Sequence, residues 1–129
     1  MLLNLNNGEL RIADDLVFYP GYTFDEFKQT SFYKGQDGIR LINLDGFQEI
    51  DEKKYVVNFF FRDGKIYVVS LINCDVDIPE GEEGKRKEIH DLILKQNGIE
   101  SGTSYKWGEV VSEFDKRSNI SSIDIYYAQ

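Results

Sequence analysis

The chain has 129 residues, and its 23 acidic and 15 basic side chains give a formal net charge of −8 at pH 7. Its length suits one domain over residues 1–129, and 41% hydrophobic residues indicate a packed core instead of a disordered chain. The acidic balance argues against nucleic-acid binding, because binding phosphates requires a basic surface. No apolar run approaches the ~20 residues that span a bilayer, no signal peptide is visible, and a single cysteine suits a reducing compartment. We therefore expect a cytoplasmic protein without membrane contact.

The N-terminal segment predicts a hairpin followed by a short helix. "LLNLNNGELRI" alternates apolar residues around Asn7-Gly8, a pair that favours a type I′ turn, and "LVFYPG" predicts a further short extended piece. In "YTFDEF", Thr23 and Glu26 have the spacing of a capping box. A short helix is therefore predicted from about Phe24 to Ser31.

The middle of the chain carries the strongest β signal. "GIRLINL" predicts one strand, and "KYVVNFFFRDGKIYVVSLIN" predicts a hairpin that turns at Asp63-Gly64. Along the first strand of this hairpin, alternation separates Tyr55, Val57, Phe59 and Phe61 from Val56, Asn58 and Phe60. Because both sets contain apolar residues, we predict a central strand that is covered on one side and partly covered on the other.

A second helix and two strands complete the predicted fold. The helix is expected from about Glu82 to Asn97, with Ile89, Leu92 and Ile93 as its apolar stripe and Gly98 as its stop. "YKWGEVVSEF" and "ISSIDIYYA" predict two strands around the turn "DKRSN". The order ββ-α-βββ-α-ββ predicts an α+β domain, mainly an antiparallel sheet with two helices on one face.

Residues 74–90, "CDVDIPEGEEGKRKEIH", form the densest acidic stretch and hold the only cysteine and the only histidine. Asp75 and Asp77 match the first and third ligand positions of an EF-hand calcium loop, but Pro79 and Arg86 occupy the fifth and twelfth. Acids that precede a helix also favour its positive N-terminal dipole. We predict no metal site and no cofactor, and keep a cation-responsive loop as a third interpretation.

Cys74 and His90 are the only candidates for a thiol–imidazole pair. No glycine-flanked nucleophile motif surrounds Cys74, and the phosphate-loop, dinucleotide-binding and serine-hydrolase motifs are missing. We expect Cys74 to be a small buried hydrophobic residue, His90 a hydrogen-bonded structural imidazole, and Trp107 part of the core. No catalytic residue is predicted, and the protein is interpreted as non-enzymatic.

The closing block "YKWGEVVSEFDKRSNISSIDIYYA", together with the size and charge of the chain, resembles small bacterial proteins grouped with the immunity proteins of polymorphic toxin systems. That resemblance implies a cytoplasmic acidic protein that neutralises a toxin by covering it. It implies no catalytic residues.

These observations predict a protein-interaction module, in its most specific form an immunity protein that neutralises a cationic toxin. The expected contacts lie in two acidic segments predicted to be exposed: Asp45, Glu49, Asp51, Glu52, Asp75, Asp77, Glu80, Glu82 and Glu83. The alternative is a small-molecule-binding domain or minor enzyme with a pocket between the sheet and its helices. An exposed sheet edge would also allow a homodimer.

Overall fold

The predicted α+β architecture is confirmed in a computed structural model that describes residues 1–129. The strands are β1 (Leu10–Ala13), β2 (Leu16–Phe18), β3 (Ile42–Asn43), β4 (Gln48–Ile50), β5 (Lys53–Arg62), β6 (Lys65–Asn73), β7 (Thr103–Tyr105), β8 (Gly108–Asp115) and β9 (Ile120–Tyr127). The helices are α1 (Phe24–Phe27) and α2 (Gly84–Gln96), with a 3₁₀ turn at Glu80–Glu82 before α2. The short strands β4 and β7 are additions to the predicted order. Neither helix has the length and apolarity needed to cross a membrane.

Seven antiparallel strands form the main sheet, in the order β3-β5-β6-β9-β8-β7, with β4 also paired to β5. The central β5–β6 hairpin has the predicted turn and end, and begins one residue before the predicted segment. Asp63 and Gly64 have φ angles of 52° and 78°, the positive values that a type I′ turn requires at both central positions. The alternation of β5 therefore defines the two faces of the sheet. We call the face of Tyr55 and Phe59 the inner face, and the opposite one the outer face.

The N-terminal hairpin differs from the prediction. Residues 3–5 do not form a strand; β1 pairs instead with β2 across Asp14-Asp15. Gly8 has a φ of +78°, but its role is close approach, since a Cβ there would lie 2.6 Å from Cδ2 of Trp107. Gly8 thus leaves room for the indole ring instead of forming a hairpin turn. Trp107 is buried as predicted.

The first helix begins with the predicted capping box. The Glu26 amide donates to Thr23 Oγ1 at 3.1 Å, and the Thr23 amide donates to Glu26 Oε2 at 2.8 Å. The helix ends at Phe27, earlier than predicted, and single turns continue to Thr30. The capping pair is local in sequence, which is why it was predictable.

Both helices and the β1–β2 hairpin pack on the inner face. The ring of Phe59 lies 4.8 Å from that of Phe18 in β2 and 5.2 Å from that of Phe27 in α1. From α2, Ile93 and Leu94 join the same core of 26 buried hydrophobic residues. The prediction of helices on one face is confirmed.

Helix α2 is rotated relative to its predicted apolar stripe. Ile93 is buried, but Leu92 is 54% exposed and His90 takes an inward position at 0% exposure. The helix turns this way because His90 Nε2 accepts a hydrogen bond from the Asn73 amide at 2.9 Å. It ends as predicted, with Gly98 at a φ of +71°.

Pairing between β6 and β9 stops at Leu71 and Ile123, so the two strands separate beyond that pair. At this fork, α2 supplies side chains to backbone groups of both strands. Glu83 accepts from the Ser121 amide at 3.1 Å and pairs with Arg86 at 2.9 Å. The helix is thereby fixed on the inner face, and the outer face is left without a covering element.

Candidate functional site

The outer face of the sheet has an apolar and aromatic centre with no layer packed over it. Its partly buried residues are Val56, Phe60, Tyr67, Val68, Ile72, Val111 and Tyr126. An antiparallel sheet with one solvated face normally presents polar side chains there. Large exposed apolar patches on proteins commonly mark interaction sites, which makes this face a candidate.

Two carboxyl groups lie side by side on this face. The register pairs Val111 with Asp124 and Glu113 with Ser122, which places Glu113 diagonally next to Asp124. Asp124 is only 6% exposed, and Ser70 Oγ donates to its Oδ1 at 2.6 Å. Hydrogen bonding to Asp124, followed by burial and the Asp124 charge, raises the pKa of Glu113 to about 7. The pair therefore holds a proton close to neutral pH.

Tyrosines border the carboxyl pair. Tyr126 donates its hydroxyl to Glu113 Oε2 at 3.4 Å, and burial, with the nearby carboxylates, raises the pKa of Tyr126 to about 12. The Tyr67 ring lies 5.7 Å from the Tyr126 ring, and the Arg62 guanidinium carbon lies 3.7 Å from the centre of the Tyr67 ring. This corner of the face already holds one guanidinium against an aromatic ring.

A shallow, open recess lies next to the pair, at the edge formed by β7 and β8. Its lining includes Tyr67, Ser104, Tyr105, Glu109, Glu113 and Tyr126. Glu109 accepts from Ser104 Oγ at 3.3 Å, which holds a third carboxylate on the same side. The recess is accordingly acidic and aromatic.

The first predicted acidic segment lies around β4. Asp45, Glu49, Asp51 and Glu52 are all exposed, as expected. Asp51 and Glu52 form the turn into β5 with φ angles of 53° and 67°, and Asp51 accepts from the N-terminal ammonium at 3.1 Å. Glu49 lies opposite Lys54 at the edge of the outer face.

The second predicted segment is only partly available to a partner. Asp77, Glu80 and Glu82 are exposed, but Glu83 is buried, so its predicted exposure is wrong. Its carboxylate is used inside the fold, at the fork between β6 and β9. Sequence position alone could not reveal this use, because Ser121 lies 38 residues away.

Asp75 is exposed, but its carboxylate forms hydrogen bonds at the C-terminal end of β6. It accepts from the Lys54 amide at 2.9 Å and from Asn73 Nδ2 at 2.9 Å. The Asn73 side chain is the largest cause that holds the pKa of Asp75 below its ordinary value. Burial raises the pKa of Tyr55, and the negative charges of Asp75 and Asp51 raise it further, so both carboxylates lie near the Tyr55 hydroxyl. The structure therefore brings the two acidic segments to one end of the sheet.

The only imidazole is fully buried, whereas the only thiol is half-buried. His90 is enclosed beneath α2, and burial lowers its pKa to about 4. Cys74 was expected to be buried, but it directly follows β6 and is only half-buried. The prediction of His90 as a hydrogen-bonded structural imidazole is confirmed, since the Asn73 amide occupies its Nε2.

The space between the sheet and its helices is filled by the hydrophobic core. The largest recess lies elsewhere, between the N-terminal segment, β1 and β4, where it is lined by residues that include Leu3, Arg11, Val17 and Glu49. No group of three histidine, cysteine or carboxylate side chains converges in a geometry that could hold a metal ion.

The carboxyl pair could not be identified from sequence, because Glu113 and Asp124 meet only through the register of β8 and β9. A partial signal existed in β5, where Val56 and Phe60 made the second face apolar. Comparison of the chain with protein-family models, curated proteins and solved structures finds no match, so the site is interpreted from its own geometry.

Proposed function

We propose that this protein is a non-enzymatic interaction module that binds a basic protein through the outer face of its sheet. The observation that carries the proposal is an uncovered apolar and aromatic sheet face with the carboxyl pair Glu113–Asp124 beside its tyrosines. Tyrosine is enriched where proteins bind each other, since its ring gives contact area and its hydroxyl gives hydrogen bonds.

The dimensions of the face are adequate for a stable interface. Its four long strands, β5, β6, β9 and β8, contain 10, 9, 8 and 8 residues. Strands spaced by about 4.8 Å, with about 3.3 Å per residue, give a flat area of about 550 Å². Side-chain relief raises the accessible area above this value, towards the ~800 Å² per partner of a standard interface.

The negative charge of the chain supports a basic partner. The chain carries a formal net charge of −8, which accelerates encounter with a cationic surface. On the outer face itself, Glu109, Glu113 and Asp124 place three carboxyl groups close to aromatic rings. Glu49, at the edge of this face, extends the acidic character towards the predicted segment around β4.

The most specific form of this proposal is an immunity protein of the bacterial cytoplasm. Such a protein would lay its outer face over the basic active site of a toxin domain and exclude the substrate. The acidic turn residues Asp51, Glu52 and Asp77 would then contribute long-range attraction more than direct contact, because they are exposed and solvated.

The test compares capture of basic proteins from the native host by the wild type and by two matched lysine variants. Val68→Lys places a charge in the outer face, whereas Leu92→Lys places the same charge on the exposed side of α2. We expect one stoichiometric basic protein with the wild type and with Leu92→Lys, eluted by salt, and at least a tenfold weaker interaction with Val68→Lys. Val111→Lys repeats the test if Val68→Lys does not fold.

Equal binding by the wild type and Val68→Lys would contradict the proposal. So would the absence of any stoichiometric protein at low salt. Circular dichroism and thermal unfolding of each variant separate loss of binding from loss of fold.

A further inference from the structure

The outer face is banded, with one polar row of side chains between two apolar rows that cross the strands. Residues directly opposite each other in an antiparallel pair share a face of the sheet. Asn58 of β5 lies opposite Asn43 of β3 and Ser70 of β6. Ser70 in turn lies opposite Asp124 of β9. These four polar side chains therefore form one row across four strands.

An apolar row flanks the polar row on each side. On one side, Phe60 lies opposite Val68, and Val68 lies opposite Tyr126. On the other side, Val56 lies opposite Ile72. Each apolar row is about 7 Å from the polar row, because two residues of a strand span that distance. The order along the β5–β6 hairpin is thus apolar, polar, apolar.

This banding is self-complementary for a second copy of the chain. A two-fold axis parallel to the strands, placed between β5 and β6 in the plane of contact, lays each row on the same row of the second copy. Asn58 then faces Ser70 of the second copy, and Phe60 faces its Val68. A two-fold interface requires such a match, because the same surface is used on both sides and every contact occurs twice.

We propose that the free protein forms a two-fold dimer through its outer face, an inference that goes beyond the proposed function and does not rest on it. Two sheets stacked in this way cover the apolar rows of both copies, as in a β-sandwich. Ser70 Oγ donates to Asp124 Oδ1 of its own chain at 2.6 Å, so its lone pairs can accept from the Asn58 amide of the second copy. Asn43 likewise supplies an amide donor for the Asp124 carboxylate of the second copy. The polar row is then hydrogen-bonded instead of being buried without partners.

The acidic side chains of β8 favour this axis over the neighbouring one. An axis between β6 and β9 would lay Asn58 on Val111 and Phe60 on Glu109, which would bury a carboxylate against an aromatic ring. With the axis between β5 and β6, strand β8 lies outside the overlap. Glu109 and Glu113 then stay in water.

The area of the overlap predicts a weak dimer. Strands β3 to β6 and β9 cover about 500 Å² in each copy, at about 4.8 Å per strand and about 3.3 Å per residue. A total of about 1,000 Å² is at the low end for specific interfaces, so we expect a dissociation constant weaker than about 1 µM. The formal net charge of −8 on each copy opposes pairing, and salt should weaken that repulsion. In dilute solution the chain is therefore a monomer with its outer face accessible to a basic partner.

The experiment measures the mass of the protein by sedimentation equilibrium over a concentration series. The wild type should be a monomer below about 1 µM and increasingly a dimer towards about 500 µM. An increase in salt from about 50 mM to about 500 mM should strengthen the dimer, whereas it should weaken a complex with a basic protein. Leu92→Lys, on the exposed side of α2, should dimerise like the wild type.

A charge-exchange pair of variants tests the position of the axis. Phe60→Glu and Val68→Lys each place a charge in an apolar row, and each should weaken the dimer at least about tenfold. An equal mixture of the two variants should dimerise again, because the axis sets the new carboxylate of one chain against the new ammonium of the other. Val56→Glu and Ile72→Lys are related by the same axis and repeat the test if a first variant does not fold.

A wild type that stays monomeric at every concentration would overturn the inference. So would a dimer that is unaffected by Phe60→Glu and Val68→Lys, or a mixture of these variants that does not dimerise. Capture from the native host at low salt separates this outcome from failure of the proposed function. If a stoichiometric basic protein is captured while the wild type stays monomeric, the dimer is wrong and the proposed function stands. If the wild type dimerises as expected and captures no protein, the proposed function is wrong and the dimer stands.

Discussion

Asn73 and Ser121 face each other across the fork between β6 and β9, and helix α2 joins their backbones with side chains. The Asn73 carbonyl accepts from Arg86, Arg86 pairs with Glu83 at 2.9 Å, and Glu83 accepts from the Ser121 amide at 3.1 Å. The Asn73 amide donates to His90 at 2.9 Å. Polar groups that the sheet ladder leaves free are thus satisfied by the helix, which ties α2 to the inner face.

Breaking this bridge should cost far more than breaking a surface ion pair. The side chains of Arg86 and Glu83 are 14% and 10% exposed, so Arg86→Ala leaves a buried carboxylate without its counter-charge and removes a donor from the Asn73 carbonyl. We expect a loss of about 3–5 kcal/mol in the free energy of unfolding, measured with urea. Lys85→Ala removes the exposed pair with Glu82 and should cost at most about 1 kcal/mol. Similar losses in the two variants would contradict this role.

His90 should make the protein less stable in acid. Burial lowers the pKa of His90 from its ordinary 6.5 to about 4, so the folded state favours the neutral ring and the unfolded state binds the proton first. The stability that this residue contributes is complete above about pH 6.5 and is lost as the pH falls towards 4. The shift corresponds to about 3 kcal/mol. The measurement is urea unfolding of the wild type and of His90→Gln between pH 4 and pH 7. The free energy of unfolding of the wild type minus that of His90→Gln should decline as the pH falls.

Glu113 titrates in an overlapping range with the opposite sign. Its pKa is raised from 4.5 to about 7, so the stability it contributes is present at low pH and lost as the pH rises through 7. Subtracting the Glu113→Gln profile from that of the wild type isolates this effect. For His90, both proteins compared keep Glu113. If the free energy of unfolding of the wild type minus that of His90→Gln does not change with pH, the buried neutral imidazole is contradicted.

Gly8→Ala should be strongly destabilising because two effects act together. Its φ of +78° strains an L residue, and the added Cβ would lie 2.6 Å from the Trp107 ring. Gly21 has a φ of +86° but open space around it, so Gly21→Ala measures the backbone strain alone. We expect about 1–2 kcal/mol for Gly21→Ala and at least about 2 kcal/mol more for Gly8→Ala. Equal losses in the two variants would contradict a steric conflict between the added Cβ and the Trp107 ring.

The sequence was most informative where the signal is local. The Asp63-Gly64 turn, the Thr23–Glu26 capping box and the Gly98 helix stop depend on residues a few positions apart, and each has the predicted form. Asn7-Gly8 was misleading, because the same positive φ that allows a hairpin turn also allows a glycine to lie under Trp107.

Features that depend on distant pairing were not predictable in this way. Glu83 was predicted to be exposed, because the sequence does not show that the fork between β6 and β9 places Ser121 next to it. Leu92 was predicted to belong to the apolar stripe of α2. The hydrogen bond between His90 and the Asn73 amide instead accompanies a rotation of α2 that buries His90 and exposes Leu92. The Glu113–Asp124 pair likewise requires the register of two strands.

The most direct test of the interface is hydroxyl-radical footprinting of the free protein and of its complex with the captured basic partner. We expect Tyr67 and Tyr126 on the outer face to lose most of their labelling in the complex, while the exposed Leu92 on α2 is labelled equally in both states. Protection of Leu92, with Tyr67 and Tyr126 labelled as in the free protein, would contradict binding through the outer face.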